Sequence, residues 1–213
     1  MVSALRNTVA GGKALPYAKR VEYIQSSGSQ YINTGWLPVA TARLELLYAI
    51  HSFSGTPQLG CIQNNGKPYY NWYWASNAHG LLVFYFGDYT PEGSNYIRTP
   101  SGTVPLNTIH TITYNGATGE GSVGASQFSG SICNSVPSVP FYLFARNNRG
   151  TPELFCNMSI CGFSAELAGE KILDLIPVID LEGQAKMFDL VSGTYPAHYG
   201  TFTPGPEIRG GIS

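Results

Sequence analysis

Charged residues are scarce in this chain: Asp, Glu, Lys and Arg make up 12% of its 213 residues, and the formal net charge is −1. A body so weakly charged lacks the broad positive field that draws a protein onto nucleic acid. Long apolar runs are missing too. No stretch approaches the ~20 apolar residues of a membrane span, and MVSALRNTVAGGKALPYA has no apolar centre long enough for a secretion signal. The expectation is a soluble chain made without Sec export, with no membrane and no nucleic acid among its partners. Cysteine is confined to Cys61, Cys133, Cys156 and Cys161, with no CxxC pair. The last two fall in one alternating run, ELFCNMSICGF. Five residues of extended strand would hold them about 16 Å apart, far beyond the roughly 4.4–6.8 Å Cα spacing of a disulfide. Free buried thiols are expected, and a Cys61–Cys133 pairing stays open.

Catalytic patterns are equally thin. The sequence has no GxSxG elbow, HExxH helix or P-loop. GEGSVG (119–124) has the spacing of a dinucleotide loop, but ASQFSGS follows where a helix would have to receive the pyrophosphate. His51, His79, His110 and His198 are far apart, none beside a Cys or Asp at ligand spacing, so no metal site is expected. Asp88, Asp174, Asp180 and Asp189 are scattered and read as turn or strand-end residues. Asn157-Met158-Ser159 matches a glycosylation sequon, but it lies inside a strand pattern and reads as an accident.

What the chain has in quantity is Gly (25), Pro (14), Tyr (14) and Phe (10), the composition of short aromatic strands joined by tight turns. Period 2 runs almost throughout. RLELLYAI (43–50) sets Leu44, Leu46, Tyr48 and Ile50 against Arg43, Glu45, Leu47 and Ala49, so one face is for a core. LLVFYF (81–86) reads as a strand covered on both sides, and HTITYNGATGEGSV (110–123) as strand, Asn-Gly turn, strand. FYLFA (141–145), ELFCNMSICGF (153–163), KILDLIPV (171–178) and AKMFDLV (185–191) continue the series. AELAGEK (165–171) tolerates helix but is short enough to be a hairpin tip. VEYIQSSGSQYINTGW (21–36) reads as a strand pair bent by a tight turn at SSGSQ, with Tyr31 and Ile32 on opposite faces.

Four segments carry a resemblance: VEYIQSSGSQYINTG, FYLFARNNRGTP, ILDLIPV and the closing MFDLVSGTYPAHYGTFTPGPEI. They resemble the laminin-G-like, concanavalin A-like jelly rolls of gut-bacterial surface proteins and phage structural proteins. The resemblance covers roughly residues 21–208 and implies an all-β, two-sheet antiparallel jelly-roll sandwich. The domain reading is an extended N-terminal arm over 1–20, the sandwich over 21–208 and a short tail over 209–213. Sugar-cleaving relatives of this fold set carboxylates at alternate strand positions as ExDxxE, a cluster this sequence lacks, so no enzyme and no catalytic residue is expected. No cofactor is expected either. Calcium, which laminin-G-like relatives hold with a few Asp oxygens and carbonyls from separate loops, is the one ion the resemblance leaves open.

The function expected from the resemblance is a non-enzymatic phage virion structural or decoration protein, on capsid or tail, displaying a lectin-like jelly roll to host or mucosal glycans. Its alternative is a carbohydrate-binding or adhesion module of a bacterial cell surface. Residues 1–20 hold Arg6, Lys13, Lys19 and Arg20 with no acid, and these four are the candidate docking residues toward other virion proteins or copies of the chain, in a homo-oligomer or larger assembly. The stretch with binding character is PYYNWYWASNAHG (68–80). Alternation sends Tyr70, Trp72 and Trp74 to one side and Tyr69, Asn71 and Tyr73 to the other, so one side can be core and the other a platform on which sugar rings stack. Tyr70, Trp72 and Trp74, with Asp88, Tyr89, Asn95 and Arg98 as a rim, are the candidate glycan-binding residues.

Overall fold

A computed structural model describes residues 15–54, 58–63, 69–76, 82–90, 93–100, 102–130 and 136–208, giving 63–98 by their backbone alone. Among the described residues the chain forms nineteen strands and no helix. The first six are β1 (Lys19–Arg20), β2 (Ile24–Ser27), β3 (Tyr31–Asn33), β4 (Arg43–Ile50), β5 (Gln58–Gln63) and β6 (Tyr69–Ser76). Then come β7 (Leu82–Thr90), β8 (Gly93–Arg98), β9 (His110–Asn115), β10 (Glu120–Val123), β11 (Ser126–Ser129) and β12 (Tyr142–Leu143). The last seven are β13 (Arg146–Asn148), β14 (Thr151–Glu153), β15 (Asn157–Leu167), β16 (Glu170–Ile179), β17 (Ala185–Asp189), β18 (Ala197–Tyr199) and β19 (Thr203–Pro204).

They make two sheets, the sandwich expected. The first runs β1-β16-β15-β4-β9-β10-β11, with β17 beside β16, and β2 beside β15 carrying β19 on its other edge. The second runs β18-β3-β12-β5-β6-β7-β8, with β13 and then β14 attached at β5. Alternation decides which side chains meet between them. Leu44, Leu46, Tyr48 and Ile50 of β4 are buried with Ile112 and Tyr114 of β9 and Phe163 and Ala165 of β15, against Leu59, Cys61 and Leu143 of the second sheet. The pairing is antiparallel with one exception. Phe144, at φ 66, turns the chain so that β12 meets Gly60 antiparallel and β13 meets the same Gly60 running parallel.

Several local expectations change in three dimensions. SSGSQ joins strands that do not pair: β2 belongs to the first sheet and β3 to the second, so the turn is a corner between sheets. Gln30 secures it, its Oε1 accepting from the Ser26 hydroxyl at 2.8 Å and the Ser27 N–H at 2.9 Å. β15 starts after Cys156, and Cys161 sits at a register shift between Ile160 and Gly162, so the two cysteines do not share one regular strand. Cys61, Cys156 and Cys161 are free thiols, and Cys133 lies outside the described residues. The Asn-Gly turn widens into a four-residue loop, since β9 ends at Asn115 and β10 begins at Glu120. AELAGEK is the tip of the β15–β16 hairpin, where Ala168 and Gly169 have φ of 52 and 87, the pair of positive angles of a two-residue primed turn. GEGSVG spans β10 and enters the turn after it, with strand β11 following and not a helix.

The N-terminal boundary also moves. β16 is apolar on both faces because its outer face is covered: Tyr17, Ile176, Val178 and Phe188 form a second buried cluster, with Leu15 and Tyr195 packed against it. The Tyr195 hydroxyl donates to Pro16 O at 2.8 Å, the Ala18 N–H to Ile179 O at 2.9 Å, and β1 pairs with β16. Residues 15–20, expected in the arm, are therefore built into the sandwich.

Candidate functional site

The outer face of the second sheet gathers tyrosines from distant parts of the chain. On β3, Ile32 is fully buried in the core, so Tyr31 and Asn33 lie on the other face. β18 pairs with β3 and sets Tyr199 opposite Tyr31. Their rings stack at 4.4 Å between centroids and 3° between planes, and Tyr31 also meets Tyr142 at 5.0 Å and Phe155 at 6.2 Å. Tyr199 is 46% exposed while Tyr142 is 5% exposed, so the set has an accessible top and a fixed base. Burial pushes the Tyr142 and Tyr31 phenols up, and their neighbours Tyr31 and Tyr199 push them further. All the shifts run away from neutrality, so these two hydroxyls stay protonated and both donate and accept hydrogen bonds.

Beside this set lies a neutralised charge. Arg146, on β13, pairs with Glu153 of β14 and donates from Nη1 to Gln58 Oε1 at 2.7 Å. Its neighbour Asn147 points into the interior, fully buried, donating to Pro140 O and accepting from the Gly150 N–H, each at 2.7 Å. The ARN of FYLFARN thus divides its work between a buried anchor and a surface cation. Gly60, at φ 124, pairs with both Tyr142 and Arg146 and carries no side chain. Two cavities lie elsewhere, one of about 560 Å³ over Arg43, Thr113 and Ser122 and one of about 490 Å³ beside Lys186, Tyr195 and His198.

The candidate glycan-binding residues all fall where only the backbone is described. Tyr70, Trp72 and Trp74 lie on β6, Asp88 and Tyr89 on β7, Asn95 and Arg98 on β8. In register Trp72 pairs with Cys61 and Trp74 with Leu59, both core residues, whereas Tyr73 pairs with Gly60. Of the candidate docking residues, Arg6 and Lys13 lie outside the described residues. Lys19 pairs with Glu207 of its own chain at 3.2 Å, and Arg20 O accepts the Ile208 N–H at 3.1 Å.

One arrangement has the order of a hydrolytic relay. His51 Nδ1 meets Asn107 Oδ1 and its Nε2 meets Ser159 Oγ, each at 2.8 Å. Ser159 is 3% exposed, however, which leaves no approach for a substrate carbonyl. The chain is a clamp, holding the Asn107 loop to β4 together with the Asn107 N–H to Ile50 O bond of 2.8 Å. The aspartates are structural as well. Asp189 closes β17 by accepting the N–H groups of Asp174, Val191 and Ser192, and Asp180 does the same for Glu182 and Gln184 while pairing with Lys186 at 2.7 Å. Asp174 is a mid-strand residue of β16, paired with Lys171, not a strand end. Among the described residues, no group of three or more His, Cys, Asp or Glu could hold a metal ion, and no helix is long and apolar enough to cross a membrane.

The chain matches no protein-family model and no curated protein. Among solved structures it is similar to the Ruminococcus gnavus IT-sialidase CBM40, with a TM-score of 0.51 and 12% identity over 68% of this chain and 89% of that one. That module is a jelly-roll β-sandwich, and the likeness establishes the same fold here. The tyrosine set itself was out of reach of sequence reading. Tyr31 and Tyr199 are 168 positions apart, and only the pairing of β18 with β3 makes them neighbours.

Proposed function

We propose that this protein is a non-catalytic carbohydrate-binding module that holds a glycan on the outer face of its second sheet. The observation that carries this reading is the stacked pair Tyr31 and Tyr199 on Tyr142, partly exposed and flanked by a charge-neutral Arg146–Glu153 pair. Tyrosine rings offer flat apolar area to the C–H face of a sugar, and their hydroxyls, with Asn33 and Gln58 nearby, meet its polar groups. The fold shared with a carbohydrate-binding module supports this reading. Such a module works at a cell surface or outside the cell, where glycans are. The virion role suggested by the sequence resemblance gains no further support from the described residues, and residues 15–20 serve the sandwich itself.

Titration calorimetry against neutral and acidic oligosaccharides tests the reading. Tyr199→Ala should weaken binding at least tenfold, about 1.4 kcal/mol, and leave the melting temperature nearly unchanged, since the ring is half exposed. Tyr31→Ala should weaken it further because three ring contacts go at once. Unaltered affinity in both variants would rule this face out.

A further inference from the structure

The tyrosine set is one end of a longer alignment. Tyr199 pairs with Tyr31; two positions along β3, on the same face, Asn33 pairs with Tyr142; and Tyr142 pairs with Gly60. Gly60 pairs on its other side with Tyr73, Tyr73 with Tyr85, and Tyr85 with Tyr96. This register row, Ala197-Asn33-Tyr142-Gly60-Tyr73-Tyr85-Tyr96, carries tyrosine on four of the seven strands from β18 to β8, and Tyr31 and Tyr199 stand two positions along from it on the same face. The adjoining rows of β6 hold Trp72 and Trp74, whose β5 partners Cys61 and Leu59 belong to the core. Tyr73 therefore belongs to the alternate set of the sheet, the set that includes Tyr31 and Tyr142. Six inter-strand steps of about 4.8 Å make the row about 29 Å long.

We infer that the second sheet binds an extended polysaccharide chain lying across its strands from β18 to β8, and not a single terminal sugar. This rests on the carbohydrate-binding reading above and adds the size of the ligand. One observation favours it: tyrosines stand on six of the seven strands of one face, in two adjoining rows, a span many times longer than one sugar ring.

The experiment uses the full chain and cello-, xylo- and manno-oligosaccharides from disaccharide to hexasaccharide, with affinity measured by calorimetry. At least one series should show affinity rising tenfold or more from disaccharide to hexasaccharide. Tyr85→Ala, at the far end of the row, should remove most of that gain while leaving disaccharide affinity within twofold; Tyr96→Ser on the neighbouring strand is the second variant should the first melt early. Equal affinity for short and long members, with Tyr85→Ala and Tyr96→Ser both silent, would overturn the extended site while leaving binding at Tyr31 and Tyr199 intact. A tyrosine-dependent dimer seen by sedimentation, with no oligosaccharide bound, would overturn both readings and make the row an interface between copies.

Discussion

Replacing Phe163 with Ala should lower folding stability by about 3–5 kcal/mol. Phe163 is 2% exposed in the middle of β15, and its ring stacks on Phe141 at 5.2 Å with 12° between planes. Phe141 leads into β12 of the second sheet, so the pair closes the gap between the two sheets, and Trp36 touches both rings at 5.8 and 6.4 Å. Truncation removes the transfer energy of the ring and leaves a cavity that two sheets fixed by their own ladders cannot close. The loss is a large part of the roughly 5–15 kcal/mol that holds an ordinary domain together. Phe163→Leu, which keeps most of the volume, should cost less than half as much. Urea unfolding measures both. A loss below about 1 kcal/mol for the alanine variant would mean that the sheets are not joined here.

Acid should destabilise the protein in two stages. Burial holds His198 down at about 4, with Lys186 pushing the same way; the carbonyl of Pro196 and Asp180 push back but do not win. The ring is therefore neutral in the fold, its Nδ1–H donating to Pro196 O at 2.7 Å and its Nε2 accepting the Met187 N–H at 2.8 Å. An unfolded chain protonates the same ring near 6.5. Because the folded value is the lower one, the stability is fully present above about 6.5 and is lost as the pH falls toward about 4, by as much as about 3 kcal/mol. Asp180 acts below that window. Burial pushes its carboxyl up, but Lys186 and the amides of Gln184 and Glu182 outweigh burial and hold it below 3.8, so its contribution vanishes only in stronger acid. Melting temperature should fall steadily from pH 7 to pH 4, and His198→Gln should be less stable at pH 7 yet flat across that interval. A wild-type curve with no slope there would show that the ring is not held neutral. His198 and Tyr199 are adjacent on β18, so acid that loosens the strand should also separate Tyr199 from Tyr31 and weaken glycan binding.

The strands were legible because their signal is local. Alternation in RLELLYAI appears as the burial pattern of β4, and AELAGEK is a hairpin tip because two residues with positive φ suffice to reverse a chain. The two-sided apolar character of KILDLIPV was visible too, but not its cause, since the cover comes from Leu15 and Tyr17 ahead of β1 and from Phe188 and Tyr195 after β16. SSGSQ shows the limit of a turn signal. Gly28 and the serines specify that the chain bends, while burial of Ile24 and Ile32 from both sides of one core places the two strands in different sheets.

The candidate site was harder to reach for the same reason. Alternation divides Tyr70, Trp72 and Trp74 from Tyr69, Asn71 and Tyr73, but a period of two is blind to which half faces the core; that depends on the partner strand, where Cys61 and Leu59 are buried. Composition and periodicity by themselves determine an all-β chain. Which tyrosines meet depends on register across gaps of up to 168 residues. Nothing in a local pattern encodes such a register, because it is selected by the burial of the whole opposite face, Ile32 and Leu143 included, once both sheets have closed on one core.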